Sequence, residues 1–140
     1  MSHALADTNL LIRYLTGEPE AAAEAAKRIL LDADAGKIHL RLTSLVIAEV
    51  VFVLTGKVYH YKREEVRDAL LGLLDSPKID VQDRKILISA LDIFCTCGVD
   101  YVDACLAAEA RMTGKSVASF DKDYDKIPEI LRKDPFQEAS

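Results

Sequence analysis

Short apolar runs of strand length alternate along this chain with longer segments of helical periodicity, and that interleaving leaves few folds open. "HALAD" reads as a strand that ends in Asp7 and turns at once into the helix "TNLLIRYLTG", with Gly17 as its stop signal. "EPEAAAEAAKRILLDADAG" carries Pro19 near its start, many strong helix formers, and Gly36 at its end. "KIHLRL" alternates as a strand, after which Thr43 or Ser44 can cap the helix "SLVIAEVVFVL", closed by Gly56. "KREEVRDALLGLLDS" is an amphipathic helix ending before Pro77, and "KIDV" a short strand. "DRKILISALDIFCTCG" and "DYVDACLAAEARMTG" read as successive helices stopped by Gly98 and Gly114. "KSVASF" is a last strand, leading into an acidic loop, "DKDYDKI". Strands separated by helices imply an α/β fold with a parallel sheet covered on both faces by right-handed crossovers. In such folds the site lies at the carboxyl ends of the strands.

No repeat or Pro/Gly/Ser-rich linker divides the 140 residues, so a single domain over 1–140 is expected, with a flexible tail from about 134. The longest apolar stretch is too short to cross a bilayer and no signal segment is read at the N-terminus, so a cytosolic protein without a membrane partner is expected. Cys95, Cys97 and Cys105 contain no C-x-x-C pair and read as small buried apolar residues; His3, His39 and His60 are scattered and suggest no metal cluster. A formal net charge of -5 argues against gripping nucleic acid by bulk charge. Local basic patches remain at Lys57, Lys62, Arg63 and Arg67, and at Lys115, Lys122 and Lys126.

Three acids fall where a strand ends or a helix begins, and a fourth, Glu49, lies about one and a half turns into its helix. Asp7 closes the first strand, Asp103 lies in the first turn of its helix, and Asp121 follows the last strand. Glu49 stands inside an apolar run, with Leu45, Val46, Phe52 and Val53 at helical spacing around it. A buried carboxylate among such neighbours costs several kcal/mol unless a cation or hydrogen bonds compensate, so Glu49 is expected to be buried against a metal, the alternative being an Arg or Lys from elsewhere in the fold. Taken singly, Asp7 could be a helix cap, Asp103 a charge favoured at a helix N-terminus, and Asp121 an ordinary turn residue. Converging carboxylates need protons or a cation, and hard oxygen ligands favour Mg²⁺ or Mn²⁺. One or two such ions suit phosphodiester hydrolysis, where the metal acidifies an attacking water and stabilises the leaving oxygen. Thr8, Asn9 and Ser119 stand beside the acids and could orient them through hydroxyl and amide groups.

"ADTNLLIRYL", "TSLVIAEVVFVL", "DYVDACLAAEA" and "VASFDKDYDKI" resemble, in order and spacing, the four acidic motifs of PIN-domain ribonucleases, especially the toxin half of VapBC-type toxin-antitoxin pairs. The resemblance spans nearly the whole chain. It implies a three-layer α/β/α sandwich with a central parallel sheet, and a Mg²⁺- or Mn²⁺-dependent endoribonuclease. It places Asp7, Glu49, Asp103 and Asp121 on the acidic quartet and Thr8, Asn9 and Ser119 on supporting positions. The family's acid stands immediately before Ala, which selects Asp103 and leaves Asp100 as a cap or a group supporting the ligands from behind. Asp121 is preferred as the fourth acid, with Asp123 as the alternative. The resemblance also implies a homodimer and an antitoxin partner whose C-terminal segment fills the acidic groove. Tyr59 and Tyr61, beside the first basic patch, are candidates for gripping RNA, against the alternative that they simply pack. Two further functional readings stand beside the nuclease: a non-catalytic module whose acidic groove receives a basic peptide, and a Mg²⁺-dependent phosphoryl-transfer domain in which Asp7 is phosphorylated.

Overall fold

The computed structural model describes residues 1–138, whose contacts cluster in two compact units, residues 1–84 and the described residues from 85 onward. The first unit runs β1 (Ser2–Leu5), α1 (Thr8–Thr16), α2 (Glu20–Asp34), β2 (Ile38–Leu42), α3 (Ser44–Leu54), α4 (Arg63–Leu74) and β3 (Asp80–Val81). Its strands form a parallel sheet in the order β1-β2-β3, with His3 opposite His39 and Arg41 opposite Asp80. Because side chains alternate across a strand, one face of β2 and β3 presents Leu40, Leu42 and Val81, all buried. The other face carries His3, His39, Arg41 and Asp80. There the His3 and His39 rings lie 4.7 Å apart, Arg41 Nη1 is 3.0 Å from both Asp80 oxygens, and His39 Nε2 is 3.4 Å from Asp80 Oδ2. Leu5, at the end of β1, is 72% exposed.

The helices begin and end as their local chemistry dictates. Asp7 caps α1, and Gly17, at φ 73°, closes it by donating its N–H to the Arg13 carbonyl. Thr43 caps α3 through a hydrogen bond from Val46 N. The last carbonyl of α4, Leu74 O, accepts from the Arg84 guanidinium, which also donates to Ser76 O at 2.9 Å and to Ile79 O at 2.5 Å in the segment leading to β3. Leu11, Leu30, Leu42, Ile47, Leu54, Leu70 and Leu74 are among the buried side chains.

In the second unit, α5 (Arg84–Cys97), whose first residue belongs to unit 1, is followed by α6 (Tyr101–Thr113), β4 (Val117–Ala118), a 3-10 turn over Lys122–Lys126, β5 (Arg132–Lys133) and α7 (Pro135–Glu138). β4 and β5 pair in parallel, Val117 opposite Arg132. Gly98 and Gly114, at φ 69° and 71°, stand where the sequence places the helix stops. Three features depart from expectation. The acidic stretch expected as a loop winds into the 3-10 turn, because the Asp121 side chain accepts from Asp123 N at 2.8 Å and caps it. A strand, β5, appears where none was expected; of the tail expected from about 134, residues 139 and 140 lie outside the described residues. The three cysteines are half-buried rather than buried.

Candidate functional site

Asp7 and Glu49 belong to the first unit. Asp7 is exposed and spends one oxygen, Oδ1, on Leu10 N at 2.8 Å, which leaves Oδ2 open. Thr8 and Asn9 form the first turn of α1 behind it, and neither side chain hydrogen-bonds an acid among the described residues. Glu49 corrects the sequence-based argument: it is exposed, and no charged side chain among the described residues is buried. The cause is the composition of α3, which is apolar on every side and so hides which side faces inward. Ile47, Val50, Val51 and Leu54 are the buried ones, while Leu45 at 78% and Phe52 at 76% exposure flank Glu49 on the outer stripe. Water reaches the carboxylate, and it needs no buried counter-ion.

Asp103 and Asp121 belong to the second unit, and Tyr124 connects them. The Tyr124 ring is 4% exposed, and its hydroxyl donates to Asp103 Oδ1 at 2.8 Å. Burial, the hydrogen bond to Asp103 and the charges of Asp103 and Asp121, in that order, hold the phenol well above the usual tyrosine range, so it stays a neutral donor. Sequence reasoning passed over Tyr124; the only signal was an aromatic residue inside an acidic stretch. The Ser119 hydroxyl accepts from Asp121 N at 2.9 Å, a bond to the backbone of Asp121 rather than to its carboxylate. The strand β5 steadies this loop: Arg132 Nη1 donates to Ser119 O at 3.1 Å, and Ser119 N to Lys133 O at 3.2 Å.

The crowded acids of "DKDYDK" are distinguished by their counter-ions. Asp123 pairs with Lys126 at 3.1 Å and Asp125 with Arg132 at 3.1 Å, whereas Asp121 has no cation within 4 Å among the described residues. Asp7, Glu49 and Asp103 likewise make no ion pair there. Asp100 stands at the N-cap of α6, yet its side chain makes no capping hydrogen bond. Tyr59 and Tyr61 pack edge to face, ring centroids 6.0 Å apart, and both are half-buried.

A divalent metal fits the donor chemistry of these acids. Asp7, Asp103 and Asp121 each have one oxygen held in place by an N–H or O–H donor, and no cation neutralises them among the described residues. Hard, oriented, unneutralised oxygens are what Mg²⁺ and Mn²⁺ take. Among the described residues, no three His, Cys, Asp or Glu side chains are gathered as a metal-holding group.

No curated protein matches the chain. Among solved structures, it is similar to VapBC2 from Rickettsia felis bound to a DNA fragment from their promoter, at 14% identity and a TM-score of 0.37, covering 95% of this chain and 98% of that one. A score that low leaves the family assignment to the sequence. There the PIN domain family model matches residues 4–130, from the second half of β1 to just before β5, with all four acids inside it. The chain belongs to the PIN-domain family.

Proposed function

We propose that this protein is a metal-dependent endoribonuclease and the toxin half of a toxin-antitoxin pair. PIN domains are generally nucleases and generally use divalent metal ions, so phosphodiester hydrolysis is the reaction class that the family match brings with it. The match across residues 4–130 is the observation that carries the reading.

In this reading Asp7, Glu49, Asp103 and Asp121 are the carboxylates that hold one or two Mg²⁺ or Mn²⁺ ions. Bound metal would supply Lewis acidity, making water a better nucleophile and offsetting charge on the phosphodiester. The chain's own contribution is orientation. The Leu10 and Asp123 amides and the Tyr124 hydroxyl each hold one oxygen of an acid, which leaves the other free. Asp121 is preferred over Asp123 because Lys126 already neutralises Asp123. The substrate is RNA, which puts the protein in the cytosol. Among the described residues no helix is long and apolar enough to cross a membrane.

The partners in this reading are an antitoxin and a second copy of the chain.

Asp7→Asn and Asp103→Asn should each lower Mn²⁺-dependent cleavage of RNA by at least about a hundredfold while far-UV circular dichroism and melting stay near wild type, and EDTA should abolish wild-type cleavage. Full activity in either variant, or cleavage that survives EDTA, would remove the assignment.

A further inference from the structure

Tyr124 is placed to do more than fill space. Its ring is buried in the second unit, a position that phenylalanine would occupy equally well. The hydroxyl is the one polar atom of the side chain, and it is spent on Asp103 Oδ1 at 2.8 Å. Asp103 makes no ion pair among the described residues, so this bond is its one polar tether there. The ring sits on the 3-10 turn that Asp121 caps, so one short segment both presents Asp121 and tethers Asp103.

A carboxylate oxygen that already holds a phenol proton is a poorer donor to a cation, and the phenol occupies part of the space around it. Asp103 is thereby left with Oδ2 as its better metal-facing oxygen. Ions differ in what they ask of a carboxylate. Ca²⁺ takes six to eight oxygens and readily accepts both oxygens of one carboxylate, whereas Mg²⁺ holds near-octahedral geometry and takes a single one. We propose that Tyr124 is a positioning residue that keeps Asp103 to one metal-facing oxygen, favouring a small octahedral ion over Ca²⁺. This rests on the reading of Asp103 as a metal-holding carboxylate.

The test uses the purified full chain without RNA. Mn²⁺ affinity is measured by electron paramagnetic resonance, and Mg²⁺ and Ca²⁺ by competition, in wild type, Tyr124→Phe and Asp103→Asn. The Asp103 χ1 population is read in metal-free protein from three-bond couplings to the carboxyl carbon. Tyr124→Phe should weaken Mn²⁺ binding about tenfold, the scale usual for losing a group that orients a ligand, and move the Ca²⁺-to-Mg²⁺ preference toward Ca²⁺. Asp103 should hold one χ1 rotamer in wild type and average over several in Tyr124→Phe. Unchanged affinity and ion preference in a folded Tyr124→Phe would overturn the inference while leaving the nuclease reading intact. An Asp103→Asn variant that binds Mn²⁺ like wild type, or a wild-type chain that binds none, would overturn both. The wild-type couplings need no variant to fold: an Asp103 side chain already averaged in the native protein refutes the positioning role.

Discussion

Asp121 and Asp123 are the same side chain two positions apart, with different surroundings. Lys126 sits 3.1 Å from Asp123, and the Asp123 backbone N–H binds Asp121, so one residue is neutralised while its neighbour is oriented and left charged. If Asp121 is a metal-holding acid, Asp121→Asn should lower Mn²⁺-dependent RNA cleavage by about a hundredfold or more, while Asp123→Asn keeps it within about threefold, because the Asp123–Lys126 pair is exposed and contributes little. The reverse order in a cleavage assay would pass the role to Asp123. This distinction was not legible in the sequence, where the acids of "DKDYDK" look alike and only folding reveals which lysine or arginine each one meets. Glu49 failed in the opposite direction. Its neighbours in sequence were read as its neighbours in space, but an all-apolar helix leaves its outer face undetermined, and Glu49 lies on that face between Leu45 and Phe52.

Among the elements, legibility followed local signals rather than length, since β3 and β4 are two residues long and were marked by their apolar residues. The helices from Thr8 to Thr113 were marked by caps, glycine stops and periodicity sustained over several turns, so their order and approximate bounds could be read from the residues. β5 is two residues long, Arg132–Lys133, and both are charged, so neither period nor composition marks it as a strand. The parallel pairing with β4 and the Arg132 contacts to Asp125 and Ser119 define it, and the pairing and the Ser119 contact are long-range in sequence. Arg84 illustrates a junction whose chemistry was equally hidden. Its guanidinium serves three carbonyls at the end of α4 and in the segment leading to β3, so truncation leaves those acceptors without a donor. Arg84→Ala should cost about 2–4 kcal/mol in urea unfolding, by the usual worth of hydrogen bonds from a charged group. A loss below about 0.5 kcal/mol would mean that water replaces the guanidinium at no cost.

For the whole molecule, one family model spans both units, with Asp7 and Glu49 contributed by the first and Asp103 and Asp121 by the second. The outward stripe of α3 bears on assembly, since Leu45 and Phe52 are large, apolar and exposed on either side of Glu49. If the proposed homodimer uses this stripe, Leu45→Glu combined with Phe52→Glu should convert a dimer to a monomer in sedimentation equilibrium, and the doubly substituted chain should melt near the wild-type monomer's temperature. A dimer that persists would move the contact elsewhere. The paired, mutually tilted imidazoles of the first sheet offer a different kind of access. The chain has 3 histidines, and two of them, His3 on β1 and His39 on β2, face each other with ring centroids 4.7 Å apart. Each lies in the magnetic shadow of the other, so their carbon-bound ring protons should resonate away from those of the exposed His60. Two lines in an ordinary proton spectrum then become a gauge of whether the first strand is zipped onto the second or has peeled away, readable in a crowded solution without any label.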